Sequence, residues 1–277
     1  MTTASRTAVG VAALRAAHVL FDAEPRILND TVAIRLLEPE LEDRLRATPA
    51  AAAQATAQAL RSHVVVRSRY SEDCLAEAVA GGVGQYVILG AGLDTFAWRQ
   101  PEWARSLRIY EVDQPASQED KQARLARAGL TVPANLTFVP VDFEVETLSA
   151  RLEDAGVDRR QPVFYSWLGV MPYLHEAAID DVLRVIAAGA PHTEVVLSFA
   201  PRDEPGRGPS RVEVMAASVG EQFQSHFTPD QLREKLHGGG FHEVSFLTPV
   251  DAAARYFAGR RDGLAPPRRT SIARARL

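Results

Sequence analysis

The sequence predicts an α/β fold, a mostly parallel sheet fronted by a helical amino-terminal segment. Three observations carry that expectation. Residues 1 to about 82 show helical spacing and contain no strand candidate. From residue 85, short apolar runs alternate with helical stretches, the pattern of a parallel sheet crossed by helices. The first of those runs, Tyr86-Val87-Ile88-Leu89, breaks at Gly90-Ala91-Gly92, where backbone can approach a ligand closely.

The amino-terminal helices come first. Val11, Leu14, Ala17, His18 and Phe21 recur at a spacing of three and four, which predicts an amphipathic helix. Asn29-Asp30 can open a second helix that runs through Ile34-Arg35-Leu36-Leu37 and stops near Pro39. The alanine-rich stretch 50–60 reads as a third, because alanine is the best helix former. A fourth runs from about Ser71 to Gly81-Gly82. The expected division is therefore a helical cap over 1–82 and a ligand-binding domain over 83–277.

Strands are expected at 85–90, 107–112, 136–141, 162–167 and 193–199, with helices between them, for example 117–128 and 176–188. A helix at 229–237 precedes the last two strand candidates, His242–Leu247 and Ser271–Leu277, with no helix expected after them. The segment from Pro201 to Pro209 is rich in Pro, Gly and charge, so it reads as an exposed loop. It leaves the carboxyl end of the fifth strand, which makes 200–226 a candidate lid over a site at that edge.

Composition excludes several classes. The chain has 277 residues, 46% hydrophobic, enough for a sizeable core and too many for a disordered segment. A net charge of −4 and a pI near 6.0 argue against a nucleic-acid binder. Cys74 is the only cysteine, which fits a reducing cytoplasm, and no His/Cys cluster suggests a metal. No apolar run is long enough to span a membrane, and no signal peptide is expected.

The chemistry concentrates around the glycines. Leu107-Arg108-Ile109-Tyr110-Glu111-Val112-Asp113 ends in acids about 20 residues after them, the spacing at which a carboxylate reaches a ribose hydroxyl pair. A dinucleotide fingerprint would have a third glycine where Thr95 stands. Asp94 would also repel a pyrophosphate at this turn, which disfavours the rival NAD-type oxidoreductase. The same carboxylate suits a cationic cofactor without phosphate, such as S-adenosylmethionine (AdoMet), although Asp94 or Thr95 can equally cap a helix. Asp142 ends the next strand, where it can accept from an adenine amino group beside Phe143, or cap the helix that follows.

These residues resemble the leucine carboxyl methyltransferase family, in particular its bacterial branch of AdoMet-dependent O-methyltransferases. The resemblance rests on Leu89-Gly90-Ala91-Gly92-Leu93-Asp94-Thr95 with Trp98-Arg99, and on Tyr110-Glu111-Val112-Asp113-Gln114-Pro115. It extends from Ser5-Arg6-Thr7-Ala8 through Arg67-Ser68-Arg69-Tyr70 and Ser166-Trp167-Leu168-Gly169-Val170 to Tyr256-Phe257-Ala258-Gly259-Arg260. It implies a Rossmann-like class I methyltransferase with a seven-stranded, mostly parallel sheet. AdoMet would be the cofactor and S-adenosylhomocysteine the product.

It also implies that Arg67, or Arg69 two residues on, grips the cofactor carboxylate, that Asp113 rather than Glu111 meets the ribose, and that Trp167 walls the cofactor, although Trp167 reads equally as a core aromatic. One departure is Leu168, where many relatives carry glutamate. The acceptor is expected to be a carboxylate or hydroxyl of a small molecule, such as a polyketide-type metabolite. Tyr173, Arg202 and His226 lie on segments that could meet it. No residue pattern singles out a catalytic base, and a non-catalytic AdoMet-binding module remains the other rival.

Overall fold

The computed structural model describes residues 6–141, 147–202, 211–218 and 220–277. Four short or medium helices open the chain: α1 (Arg6–Phe21), α2 (Thr31–Arg35), α3 (Pro39–Ala47) and α4 (Pro49–Ala52). Asp30 caps α2 by accepting from the Ala33 amide at 3.0 Å. A 26-residue helix, α5 (Ala55–Ala80), follows and ends at Gly81.

Where the sequence suggested two helices near 50–60 and 71–82, one continuous helix stands. The reason is tertiary. Arg61, in the polar interval between them, is 1% exposed, yet its guanidinium donates to both carboxylate oxygens of Asp22 at 2.7 and 2.8 Å. His18 also contacts that carboxylate, at 2.7 Å. A buried charge held this way does not interrupt a helix. Pro39, read as a stop, instead opens α3, where its missing N–H has no partner to lose.

The remainder is β1 (Gln85–Leu89), α6 (Phe96–Arg99), β2 (Arg108–Asp113), α7 (Pro115–Arg127), β3 (Leu136–Pro140), α8 (Leu148–Asp154), β4 (Phe164–Trp167), α9 (Glu176–Ala187), β5 (Glu194–Ser198), α10 (Arg211–Ser218), α11 (Pro229–Gly238), β6 (Glu243–Phe246), α12 (Pro249–Tyr256) and β7 (Ile272–Arg276). Helix α12, between the last two strands, was not foreseen; Thr248 caps it and Ala252 is fully buried beneath it.

The seven strands form one sheet in the order β3-β2-β1-β4-β5-β7-β6. All neighbours pair in parallel except β7, which runs antiparallel to both β5 and β6. Every residue of β1 and β5 is buried, as strands covered on both faces must be. One face packs Leu152 of α8, Ile179 and Leu183 of α9 and Leu232 of α11 into a common core. The other face packs Val65, Val66 and Leu75 of α5 with Phe96 and Ala252. The line drawn at residue 82 therefore separates two elements, α5 and β1, that share one core.

Strand order reverses direction between β1 and β4. In an open parallel sheet that switch point opens a crevice at the carboxyl ends of the strands.

Candidate active site

A cavity of about 1340 Å³ lies at that edge. Its floor is the turn after β1. Gly90 and Gly92 adopt φ of +66° and +46°, a region where side chains are strained. Space also matters at Gly90: a Cβ there would lie 2.1 Å from the Val170 side chain in the turn after β4. At Gly92 the nearest atom would be the Ala8 methyl of α1, at 3.2 Å. The glycines thus let three segments of the protein meet around the loop. Gly90, Ala91, Gly92 and Asp94 all line the cavity.

Asp113, at the end of β2, faces the same cavity. One carboxylate oxygen accepts from the Gly92 amide at 2.5 Å and the other from the Gln114 amide at 2.7 Å. Burial raises its pKa, and those two amides work against the rise. Glu111 is different. It is fully buried, paired with Lys121 of α7 at 2.5 Å, and does not line the cavity. Burial pushes its pKa up to about 7, with Lys121 opposing. Of the two acids, only Asp113 borders the cavity.

Asp94 accepts from the Phe96 amide at 2.8 Å, so it holds the first turn of α6 while also bordering the cavity. Thr95 is wholly buried, and its hydroxyl donates to Asp30 at 2.7 Å. Asp30 is also bridged by Arg15 at 3.1 Å and approached by Arg99 at 3.6 Å, and Arg99 pairs with Glu72 of α5 at 2.5 Å. Burial works against ionising Asp30, but the two arginines and the Thr95 hydroxyl outweigh it and hold the carboxyl below its usual range. Arg15 also donates to the Leu93 carbonyl. This buried network fastens α1, α2 and α5 to the glycine turn.

Arg67 of α5 reaches the cavity beside Gly169; a Cβ on that glycine would meet the guanidinium at 2.8 Å. It has no carboxylate partner among the described residues. Burial and the nearby Arg15 lower its pKa to about 10, so it remains a cation at neutral pH. Tyr173 also borders the cavity, with its ring edge-on to Phe223 at 5.1 Å.

Three expected contacts are placed elsewhere. Trp167 is 1% exposed and sits in the core with Val195 and Ile179, because its side chain points to the opposite face of β4 from its neighbours at the cavity. Leu168 borders the cavity instead. Arg202 donates to the His226 carbonyl at 3.0 Å and lies outside the cavity. His226 pairs with Glu213 at 2.9 Å and is likewise outside it. Asp142 and Phe143 lie outside the described residues.

Sequence reasoning missed other walls. His63, one turn before Arg67 on α5, borders the cavity with no hydrogen-bond partner among the described residues. Burial, then the Arg67 charge, depresses its pKa to about 4, so the ring is neutral at pH 7. The segment Ala265–Arg269 forms another wall, held against α5 where the Ser62 hydroxyl donates to the Ala265 carbonyl at 2.8 Å. On the described part of 200–226, Pro201, Gly220, Glu221 and Phe223 border the cavity. Glu221 is held by the Thr7 hydroxyl of α1 at 2.5 Å. Among the described residues no cluster could hold a metal ion, and no helix is long and apolar enough to cross a membrane.

This sheet order, with its antiparallel β7 and a switch-point cavity carrying a glycine turn and an acid on β2, defines a Rossmann-like class I methyltransferase. The model of the family described as leucine carboxyl methyltransferase matches residues 8–187. The chain belongs to that family, and it is an S-adenosyl-L-methionine-dependent methyltransferase. A Bacillus subtilis protein, YktD, assigned by name to S-adenosyl-L-methionine-dependent methyl transfer, is 35% identical over 240 residues, covering 83% of this chain and 78% of its own. A Mycobacteroides abscessus protein of similar name is 34% identical, covering 79% and 70%. Among solved structures, a DUF574-family protein from Streptomyces avermitilis superposes with a TM-score of 0.56 at 18% identity, covering 91% of this chain and 99% of its own. That likeness is one of fold.

Proposed function

We propose that this enzyme transfers a methyl group to an oxygen, a carboxylate or hydroxyl, of a small molecule. The observation that carries the reading is the cavity's extent. At about 1340 Å³ it exceeds the range of roughly 300–1,000 Å³ usual for a single ligand, and it continues from the glycine turn into a chamber between α5 and residues 265–269. A cofactor and an acceptor fit together in such a space.

The residues present suit S-adenosyl-L-methionine. Gly90–Gly92 would take its methionine portion against open backbone, Asp113 would accept from the ribose hydroxyls, and Asp94 would lie near its cationic groups. Arg67, a cavity-facing guanidinium without a carboxylate partner among the described residues, would bind its carboxylate in a planar fork. When bound, the cofactor supplies an electrophilic methyl group on a sulfonium.

The protein's own part is alignment and exclusion of water. A carboxylate acceptor is already a nucleophile at neutral pH, so positioning suffices. A hydroxyl would need a proton acceptor, and Tyr173, His63 and Glu221 are titratable groups that border the cavity. The expected lid over 200–226 includes residues outside the described ones; of the described ones, Ala200, Pro201, Ala216, Gly220, Glu221 and Phe223 border the cavity. Protein-carboxyl methylation, the alternative that the family's description raises, would need the chamber to admit a chain terminus.

Turnover separates these readings. Release of S-adenosylhomocysteine is expected with small carboxylic or hydroxylated acceptors and absent with peptides carrying a free carboxyl terminus. Turnover on peptides alone would overturn the small-molecule reading.

A further inference from the structure

One wall of the cavity is a stiff, basic segment, residues 263–270, which runs past the first half of α5. A Cβ on Gly263 would lie 3.9 Å from the Gln58 side-chain nitrogen, and the Ser62 hydroxyl donates to the Ala265 carbonyl at 2.8 Å. At the other end the buried Thr270 hydroxyl donates to the Leu247 carbonyl. Between these ties Pro266 and Pro267 fix φ and leave the backbone little freedom. Arg268 and Arg269 follow, both exposed to solvent and both on the cavity border. Arg6, at the start of α1, is a third exposed arginine on that border.

Position along α5 sets the distance of this wall from the chemistry. Arg67 lies beside Gly169, and the next residue, Val170, packs on Gly90, so that end of the helix meets the glycine turn. At 1.5 Å per residue, Ser62 and Gln58 stand roughly 8 and 14 Å along the helix from Arg67. The basic segment is therefore about one small molecule's length away from the glycine turn.

Charge decides what can bridge that span. Five arginines border the cavity, Arg6, Arg15, Arg67, Arg268 and Arg269, against three acids among the described residues, Asp94, Asp113 and Glu221. The acids stand on other elements and are engaged: Asp94 and Asp113 by backbone amides, Glu221 by Thr7. Arg15 is paired with Asp30. S-adenosyl-L-methionine, with two cationic centres and one carboxylate, would add positive charge when bound. A space of this sign favours an anion and disfavours a cation.

We propose that the acceptor carries a phosphoryl group, separate from the oxygen that is methylated, and that Arg268 and Arg269 hold it as a handle against α5. This rests on the O-methyl reading above and names a substrate class for it, a soluble phosphate monoester bearing the acceptor oxygen at its other end. Such a group brings close to two negative charges and three acceptor oxygens, and a planar guanidinium meets two of those oxygens at once. A segment tied at both ends and stiffened by two prolines loses little freedom on binding. The arginines are open to water, so salt screens the attraction.

Three probes with one carbon chain and one terminal hydroxyl isolate the handle: 8-hydroxyoctyl phosphate, 8-hydroxyoctanoate and 1,8-octanediol. Each is titrated calorimetrically into the full chain saturated with S-adenosylhomocysteine. The phosphate is expected to bind at least about tenfold more tightly than the diol and about threefold more tightly than the hydroxy acid. Raised salt is expected to weaken the phosphate and leave the diol unchanged. The double substitution Arg268→Gln and Arg269→Gln is expected to weaken the phosphate about tenfold, with S-adenosylhomocysteine binding as in the wild type.

Equal affinity for phosphate and diol overturns the handle. A hydroxy acid that binds as tightly as the phosphate overturns the phosphoryl class, and indifference to the double substitution overturns the location. These titrations involve no transfer, so they stand apart from the O-methyl reading, which fails only if the label from methyl-labelled cofactor lands on nitrogen or carbon. Failure to bind S-adenosylhomocysteine at all would strike the underlying methyltransferase reading.

Discussion

Asp113 and Glu111 stand two residues apart on one strand yet face different environments. Glu111 completes a buried pair with Lys121, whereas Asp113 turns its carboxylate to the cavity rim. Asp113→Ala is therefore expected to weaken S-adenosyl-L-methionine by roughly 1.5–3 kcal/mol, measured by calorimetry, through loss of charge-assisted hydrogen bonds. Glu111→Ala is expected to cost little in cofactor affinity and more in stability, since it leaves the Lys121 ammonium buried and unpaired. The reverse ranking would reassign the ribose acid.

His63 offers a second residue-scale test. Its folded pKa, about 4, lies below the ordinary 6.5. Below pH 6.5 the unfolded chain takes up a proton that the folded chain does not, so stability is lost as pH falls from 6.5 toward 4. Relative to His63→Gln, the wild type is expected to lose on the order of 1–2 kcal/mol of unfolding free energy between pH 7.5 and 5. Parallel denaturant curves at the two pH values would contradict this.

That the glycine turn and Asp113 share one edge of the sheet was legible in the sequence, because both follow short apolar strands at a readable spacing. His63 was not: a lone histidine inside a helical stretch carries no signal until tertiary packing turns its face to the cavity. Trp167 misled for the converse reason, since strand alternation alone does not say which face meets the ligand.

At the scale of elements, the glycine turn is held by the helices that precede it. Asp30 joins Arg15, Thr95 and the α2 amino terminus, and Arg99 extends the network to Glu72 of α5. Breaking a buried network by removing its acid typically costs about 3–5 kcal/mol, because the cations remain buried without compensation. Asp30→Ala is expected to lower stability by that order in urea denaturation and to loosen the cofactor site with it. A loss below about 1 kcal/mol would show that the site does not depend on this fastening.

The strands were readable as apolar runs bounded by breakers, and their observed limits differ from expectation by only a few residues. Helix α5 was not read as one unit, because the stretch from Arg61 to Tyr70 lay between the two expected helices. Only the folded chain brings Asp22 to that guanidinium. Helix α12 escaped because its eight residues follow directly on β6, too short a segment to show periodicity.

At the scale of the whole molecule, the amino-terminal helices and the sheet form one device. Helix α5 contributes to the core beneath the sheet through Val65 and Leu75, and to the cavity through His63 and Arg67. The strand order carries the family's sheet, and the switch point places the glycine turn, Asp113 and the α5 face around a single space. The proposed transfer to oxygen rests on a space large enough to hold the cofactor at the glycine turn and an acceptor beside α5 together. The most direct measurement is to incubate the enzyme with methyl-labelled S-adenosyl-L-methionine and mixed apolar acids, alcohols and amines, and to locate the label in the products by mass spectrometry. The label is expected on oxygen, with one S-adenosylhomocysteine released per methyl transferred and, for an acid, as an ester cleaved by mild alkali. Label on nitrogen or carbon, with the oxygen acceptors unmodified, would contradict the account.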